Sequence, residues 1–259
     1  MGKVWLVGAG PGAPDLLTVR AARLLEAADI VFHDALVHPG TLALAKRARF
    51  VDVGKRFGKV STEQLFINRA IVEAAKTHAT VVRLKGGDPM VFGRAQEEID
   101  ALEAAGVDYE VVPGITAALA ASASLGASLT RRGIARTLAF LTPRVGRDEQ
   151  ASEWLPAALG ADSIALYMAA GASQSIARDL IAGGKDADTP AVLVESVSLP
   201  TEARRFTTLA ALAAEALPKA AGPVVMLVGE VFRDRGAAQE VLDHENVMRQ
   251  FAAERCQAG

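Results

Sequence analysis

The sequence predicts a two-lobed α/β protein, with a mainly parallel sheet in the first lobe and a mixed sheet in the second. Three observations carry this. Short β-rich runs alternate with helical stretches up to about residue 113, a second set of β-rich runs follows with fewer helices between them, and 259 residues favour two packed units over one. In the first lobe, residues 1–113, the runs are 4–7, 30–33, 50–53, 81–84 and 109–112, the βαβ signature of parallel strands. Between the first two, Leu17, Ala21, Leu24 and Ala28 share one helical face while Arg23 and Glu26 point away, and Asp15 is the expected N-cap.

The second lobe, residues 114–235, opens on the Gly/Ala/Ser-rich stretch 114–126, expected to be a close-packed connection and helix. Its β-rich runs are 138–141, 164–168, 191–194, 206–208 and 224–228, with two clear helices around 175–181 and 209–217, so a mixed sheet is expected. Residues 236–259 are more polar, and Val241, Val247 and Phe251 give a modest stripe suited to a peripheral helix.

Composition narrows the function classes. Hydrophobic residues make up 51% and charged residues 22%, as in an ordinary folded protein. Lys plus Arg number 28 against 30 Asp plus Glu, and the net charge of -2 supplies no global attraction for nucleic acid or an anionic membrane. An anionic partner must therefore be held locally. The single cysteine, Cys256, excludes an intrachain disulfide and a thiolate cluster, and the four histidines lack zinc-ligand spacing, so no metal is expected. The first residues lack the basic flank, long apolar stretch and cleavage site of a signal peptide. The uncharged run 111–130 contains Pro113 and many small polar residues, a poor membrane span. A cytoplasmic protein without a membrane partner is the expectation.

Two glycine-rich turns stand out. Gly8-x-Gly10-x-x-Ala13 formally satisfies the dinucleotide fingerprint, with Asp34 about 20 positions on, which makes a nicotinamide oxidoreductase a rival reading. That fingerprint needs a helix starting within the glycines, whereas Pro11 and Pro14 remove two of the N–H groups a pyrophosphate would meet. The second turn, Gly86-Gly87-Asp88-Pro89, ends another strand. Adjacent glycines let backbone approach a ligand, Asp88 can accept hydrogen bonds from hydroxyls or an amine, and Pro89 fixes the exit; an ordinary strand-to-helix turn uses the same residues. Glu97 and Glu98 are neighbours on a helix and point in different directions, so they are read as helix surface or arginine partners rather than a paired acid site.

Taken together, Val7-Gly8-Ala9-Gly10-Pro11-Gly12, His33-Asp34-Ala35-Leu36-Val37, Val53-Gly54-Lys55-Arg56, Arg83-Leu84-Lys85-Gly86-Gly87-Asp88-Pro89 with Val91-Phe92-Gly93-Arg94, and Val112-Pro113-Gly114-Ile115-Thr116-Ala117 resemble the tetrapyrrole methylases. The resemblance runs in order from about Lys3 to Val231 and includes Tyr167-Met168 and Val228-Gly229-Glu230-Val231. It implies a two-lobed enzyme, usually a homodimer, that binds S-adenosylmethionine in the cleft between lobes. The implied reaction is methylation of uroporphyrinogen III at C2 and C7 to give precorrin-2, for sirohaem, cobalamin-type or haem d1 synthesis. By matching position, it implies cofactor contacts at Pro11, Gly86, Gly87, Asp88, Val91, Thr116, Ala117 and Met168, and at Val197, where relatives usually carry a smaller residue. Asp34 falls on the proposed proton acceptor and Lys55 on the proposed donor.

The chemistry fits these residue types. A sulfonium methyl is already activated, so the protein chiefly has to position an electron-rich carbon against it, and no metal is required. A carboxylate at a strand end, such as Asp34, suits removal of the proton if substrate comes within about 3 Å. Lys55 could protonate substrate or pair with one of its carboxylates, and the second role is favoured because an ammonium is a point donor for anions. The implied acceptor carries many carboxylates, and two segments concentrate cations: six basic residues against one acid over 46–59, and five basic residues with no acid over 131–147. Arg56, Arg131, Arg132 and Arg144 are the substrate-binding candidates, since arginine clamps carboxylates in bidentate pairs. Arg94 is a further candidate for substrate or catalysis. The departures from the family pattern are Ala13 for Asp, His33-Asp34-Ala35 for Tyr-Asp-Arg, Thr130-Arg131-Arg132 for Thr-His-Arg and Thr142-Pro143-Arg144 for Thr-Gly-His. They lie mostly on the expected substrate side. A paralogue acting on another tetrapyrrole, or a non-catalytic binder that kept the fold, therefore stays open at this point.

Overall fold

The structure, a computed structural model, describes residues 1–54, 60–145, 153–215 and 220–235. Lys55, Arg56, Lys59, Arg147 and the tail expected to form a peripheral helix, 236–259, lie outside the described residues. The chain divides into two compact units, Met1–Ala120 with Val197–Pro200, and Ala121–Ser196 with Thr201–Gly259. The expected division at 113/114 falls a little ahead of this border.

The first unit holds β1 (Lys3–Gly8), β2 (Ile30–His33), β3 (Arg49–Asp52), β4 (Thr80–Lys85) and β5 (Tyr109–Val112), all parallel, in the order β3-β2-β4-β1-β5. Side chains alternate across a strand, and the central strands β1, β2 and β4 are covered on both sides, whereas the edge strand β3 is largely exposed. Val4, Leu6, Ile30 and Val81 pack against Ile71 and Ala75 of α3 (Val60–Thr77) and Ile99 and Leu102 of α4 (Ala95–Ala104). Val7, Val31, Val82 and Leu84 pack on the other side against Ala21 and Leu25 of α1 (Val19–Ala27). Each fully buried Leu or Ile in these layers stabilises the unit by roughly 1.5–3 kcal/mol.

The start of α1 corrects the expected cap. Pro14 opens a separate single turn of 3-10 helix, Pro14–Leu16, which takes Asp15 into itself, and the chain then extends through Leu17. Thr18 caps the helix instead, its Oγ1 accepting the Ala21 N–H at 3.1 Å, and Leu25 rather than Leu24 is the fully buried leucine. A short helix, α2 (Pro39–Leu42), follows β2, and α5 (Ala117–Leu125) occupies the small-residue stretch expected to be helical.

The second unit is a mixed sheet of β6 (Leu138–Leu141), β7 (Ser163–Tyr167), β8 (Pro190–Glu195), β9 (Ala203–Thr208) and β10 (Val224–Gly229), in the order β6-β7-β10-β8-β9. Only β6 and β7 pair in parallel; the other pairs are antiparallel. Ile164, Leu166, Leu193, Met226 and Val228 pack against α6 (Trp154–Leu159), α7 (Ser173–Ala182) and α8 (Leu209–Ala214) through Ala158, Ile176, Leu180 and Leu212. The sequence reading did not include α6, a helix of six residues that contains Pro156. The proline lies in the first turn, where its missing N–H has no helical partner to lose.

A carboxylate staple joins the approaches to β6 and β7. Asp162 Oδ2 accepts the N–H groups of Arg136 (2.8 Å) and Thr137 (3.0 Å) and the Thr137 hydroxyl (2.8 Å), while Thr137 Oγ1 accepts the Asp162 N–H at 2.8 Å. The Arg136 N–H first, then Thr137, hold the Asp162 carboxyl below its ordinary value of 3.8. A depressed folded-state pKa contributes stability that is present above the unfolded value and lost as pH falls through the folded one. Asp162→Asn is therefore expected to lower the melting temperature at neutral pH, with the gap to the parent closing as pH drops below the carboxylate range. Parallel melts across that range check this, and a pH-independent gap counts against it. Among the described residues, no helix is long and apolar enough to cross a membrane, and no three His, Cys, Asp or Glu side chains group as a metal site.

Candidate functional site

In the first sheet β2 connects onward to β3 on one side, whereas its neighbour β4 connects onward to β5 on the other. Such a divergence opens a crevice at the carboxyl ends of the two strands, the place where open parallel sheets take ligands. Asp34 follows β2 there, and Gly86-Gly87-Asp88-Pro89 follows β4.

The glycine turn is tied to the loop after β1. Gly10 N–H donates to Gly87 O at 3.1 Å and Gly87 N–H to Gly10 O at 2.7 Å, a small antiparallel bridge. Gly87 has a φ of +67°, which a side chain would strain. Beneath the bridge, three backbones meet: a Cβ on Gly8 would stand 2.6 Å from Gly114 Cα and 2.8 Å from Gly87 O. Gly8→Ala is thus expected to cost about 1–3 kcal/mol through forced backbone shifts and to weaken ligand binding with it, readable as a lowered melting temperature together with reduced S-adenosylhomocysteine affinity. An unchanged melting temperature would sink this reading.

Asp88 clamps the turn. Its Oδ2 accepts the Gly114 N–H at 2.9 Å and its Oδ1 the Met90 N–H at 2.8 Å, so both oxygens that the sequence reading offered to a ligand engage backbone. Val91 N–H donates to Asp88 O at 3.2 Å. The Thr116 carbonyl accepts from Leu119 and Ala120 at the start of α5, and Thr116 Cα lies beside Gly87, with Ala117 next in the chain. Val197 arrives from far along the chain: Ser196 and Ser198 on either side hold φ of 51° and 67°, and Ser198 Oγ accepts the Ala13 N–H at 3.0 Å. The Val197 carbonyl lies against Gly12, next to Pro11. The structure thus brings Pro11, Gly86, Gly87, Asp88, Val91, Thr116, Ala117 and Val197 into one unit.

This turn has an open side. A Cβ on Gly86 would have Leu36 Cβ as its nearest neighbour at 3.8 Å, and one on Gly87 would meet Thr116 Cα at 3.8 Å. A ligand can reach the backbone directly there, and the residues fit a cofactor recognised by main chain. The helix that follows the Gly8–Gly10 turn, α1, begins only at Val19, so the glycines do not open a helix as the dinucleotide fingerprint requires.

Asp34 is held by a buried charge network that the sequence reading did not find. Arg83 Nη2 donates to Asp34 Oδ1 at 2.6 Å, Nε to Glu98 Oε1 at 3.0 Å, and Nη1 to the Leu84 carbonyl at 3.1 Å. Lys85 Nζ reaches the same Glu98 oxygen at 2.9 Å, and Gln64 adds a hydrogen bond at 3.2 Å. Arg83, Lys85 and Glu98 are buried, while the Asp34 side chain keeps 33% of its exposure. Burial opposes the Arg83 charge, but Asp34 and Glu98 outweigh it and raise its pKa. Burial, then the Arg83 charge, lowers the pKa of Lys85 against the pull of Glu98. Removing one member of such a buried set typically costs about 3–5 kcal/mol. The overlooked signal is the pair of cations in Val81-Val82-Arg83-Leu84-Lys85, since a doubly covered strand needs an acid for each buried base.

The other candidates lie as follows. Arg94, at a φ of 55° just before α4, makes a bidentate pair with Glu97, both contacts 2.7 Å. Glu97 and Glu98 are arginine partners as expected, although Glu98 is buried rather than on the surface. Gly54, which precedes Lys55, packs against Ala35 beside Asp34. In the second unit Met168 follows β7, exposed and at a φ of 55°. Arg131 pairs with Asp234 at 2.9 Å from a turn closed by mutual Arg131–Ala135 hydrogen bonds, and Arg132 is exposed in that turn. Arg144 is exposed, its N–H on Thr142 Oγ1 at 3.3 Å.

Two α/β units, the first with an open glycine turn and a fixed carboxylate at the carboxyl ends of its parallel sheet, define a two-unit α/β class of protein with a ligand crevice in that sheet. The chain belongs to the Tetrapyrrole (Corrin/Porphyrin) Methylases, whose family model matches residues 3–213. It is 43% identical over 234 residues to a uroporphyrinogen-III C-methyltransferase of Pseudomonas aeruginosa, covering 90% of this chain and 95% of that one. A uroporphyrinogen-III C-methyltransferase of Paracoccus denitrificans is 44% identical over 237 residues, covering 89% and 82%. The structure is also similar to that of uroporphyrin-III C-methyl transferase from Thermus thermophilus complexed with S-adenyl homocysteine, with a TM-score of 0.79, 40% identity and coverage of 90% and 94%.

Proposed function

We propose that this protein transfers methyl groups from S-adenosylmethionine to C2 and C7 of uroporphyrinogen III, giving precorrin-2. The observation that carries the reading is the open glycine turn at Gly86–Gly87, in a chain 40% identical to one solved with S-adenyl homocysteine. When bound, the cofactor supplies an activated sulfonium methyl. The protein's own task is to hold donor and acceptor in line and to accept a proton. Pro11, Gly86, Gly87, Val91, Thr116, Ala117, Met168 and Val197 are the proposed cofactor contacts, and Asp88 acts by fixing the turn. Asp34 takes the proton released from the methylated carbon, its inner side fastened by Arg83 and its exposed side toward the acceptor. Lys55, Arg56, Arg131, Arg132 and Arg144 pair with the acceptor's carboxylates, and Arg94 is a further candidate for such a pair. On the same resemblance, the enzyme works as a homodimer in the cytoplasm.

Mass spectrometry of the product formed from uroporphyrinogen III and S-adenosylmethionine tests this directly. Two added methylene equivalents are expected. Cofactor binding without transfer to uroporphyrinogen III would refute it.

A further inference from the structure

We propose that Glu98 is a positioning residue for methyl transfer: acting through Arg83, it fixes the orientation of the Asp34 carboxylate. The inference rests on the functional reading above and assigns a task to a group that touches neither cofactor nor substrate. Glu98 is 1% exposed, and every partner it has among the described residues converges on one oxygen, Oε1. One of those partners, Arg83 Nε, belongs to the guanidinium that holds Asp34.

A guanidinium is planar, so anchoring two of its nitrogens sets the direction of the third. Nε is anchored on Glu98 and Nη1 on the Leu84 carbonyl, which leaves Nη2 aimed at Asp34. Without the Glu98 anchor, the plane can turn about its last bonds and carry Asp34 with it. Glu98 is itself set by α3, where Gln64 donates to it and also to Asn68 Oδ1 at 3.0 Å. Asp34 thereby gains a fixed inner face and keeps an open outer one.

Two double variants separate this role from bulk stability. In both, Lys85→Met removes the lysine that a neutral residue 98 would leave as an unpaired buried cation. One carries Glu98→Gln, which retains an acceptor for Arg83 Nε; the other carries Glu98→Leu, which does not. Replacing a buried ion pair with residues of similar volume is often tolerated. The full-length proteins are compared for kcat of methyl transfer to uroporphyrinogen III and for S-adenosylhomocysteine affinity by calorimetry. The expected result is that the glutamine variant stays within about threefold of the parent kcat, the leucine variant falls by about tenfold or more, and both bind S-adenosylhomocysteine alike. Equal kcat for the two variants overturns the proposal, as does loss of S-adenosylhomocysteine binding in step with kcat. A parent enzyme that binds S-adenosylhomocysteine but methylates no uroporphyrinogen III refutes the functional reading first, and this inference with it; an active parent with indifferent variants refutes this inference alone.

Discussion

Gly87→Arg is expected to abolish S-adenosylhomocysteine binding, by at least about a hundredfold, in a protein that still folds. The substitution places a long cation on the open side of the turn, where the nearest protein atom to a new Cβ is Thr116 Cα at 3.8 Å. Nothing in the fold has to move to accept the first atom, so the side chain occupies the space a backbone-held ligand needs. The conformational cost is separate. At a φ of +67° a side chain strains the backbone by about 1–2 kcal/mol, which lowers the melting temperature of a chain this size by roughly 2–8 °C. Gly8→Ala works the other way round, since its Cβ meets backbone at 2.6 Å and damages the fold before the ligand. Calorimetric titration with S-adenosylhomocysteine beside thermal melts distinguishes the two. Binding within threefold of the parent in Gly87→Arg would remove the turn from the cofactor site.

The central strands of both units were legible because their apolar runs are bounded by turn residues and largely buried, as Val4 to Val7 and Val224 to Val228 show. Terminal detail was less so. Asp15 has the chemistry of a cap but follows a proline that starts its own turn, and only the extended backbone of Thr18 reveals the true cap. In the site, glycines whose absent side chains leave room are visible as motifs, but what they leave room for is not. Gly8 and Gly114 make way for one another, whereas a Cβ on Gly86 or Gly87 would meet only one neighbour, at 3.8 Å. For Asp88 the sequence shows a carboxylate in a turn but not its two backbone N–H partners, because Gly114 lies 26 residues away. The Arg83–Glu98 pair joins residues fifteen apart on a strand and a helix, and no local periodicity links them. Val197 is farther still from Gly12, and only the fold brings them together.

Asp34→Asn is expected to lower kcat by about a hundred- to ten-thousandfold and to leave S-adenosylhomocysteine affinity within about twofold. Asparagine is the informative replacement because it retains an oxygen for Arg83 Nη2, which now sits 2.6 Å from Asp34 Oδ1. Alanine would instead leave a 3% exposed guanidinium without one of its acceptors, and would mix a folding defect with a catalytic one. Amide and carboxylate share shape and differ in basicity, so a fall in kcat at constant affinity isolates the proton-accepting step. Glu98 still neutralises Arg83 in the variant, which limits the loss of stability. If Asp34→Asn keeps its kcat within threefold of the parent, the proton leaves by another route. Asp34 is then only the anchor that ends β2, and the buried network behind it serves the fold rather than the reaction.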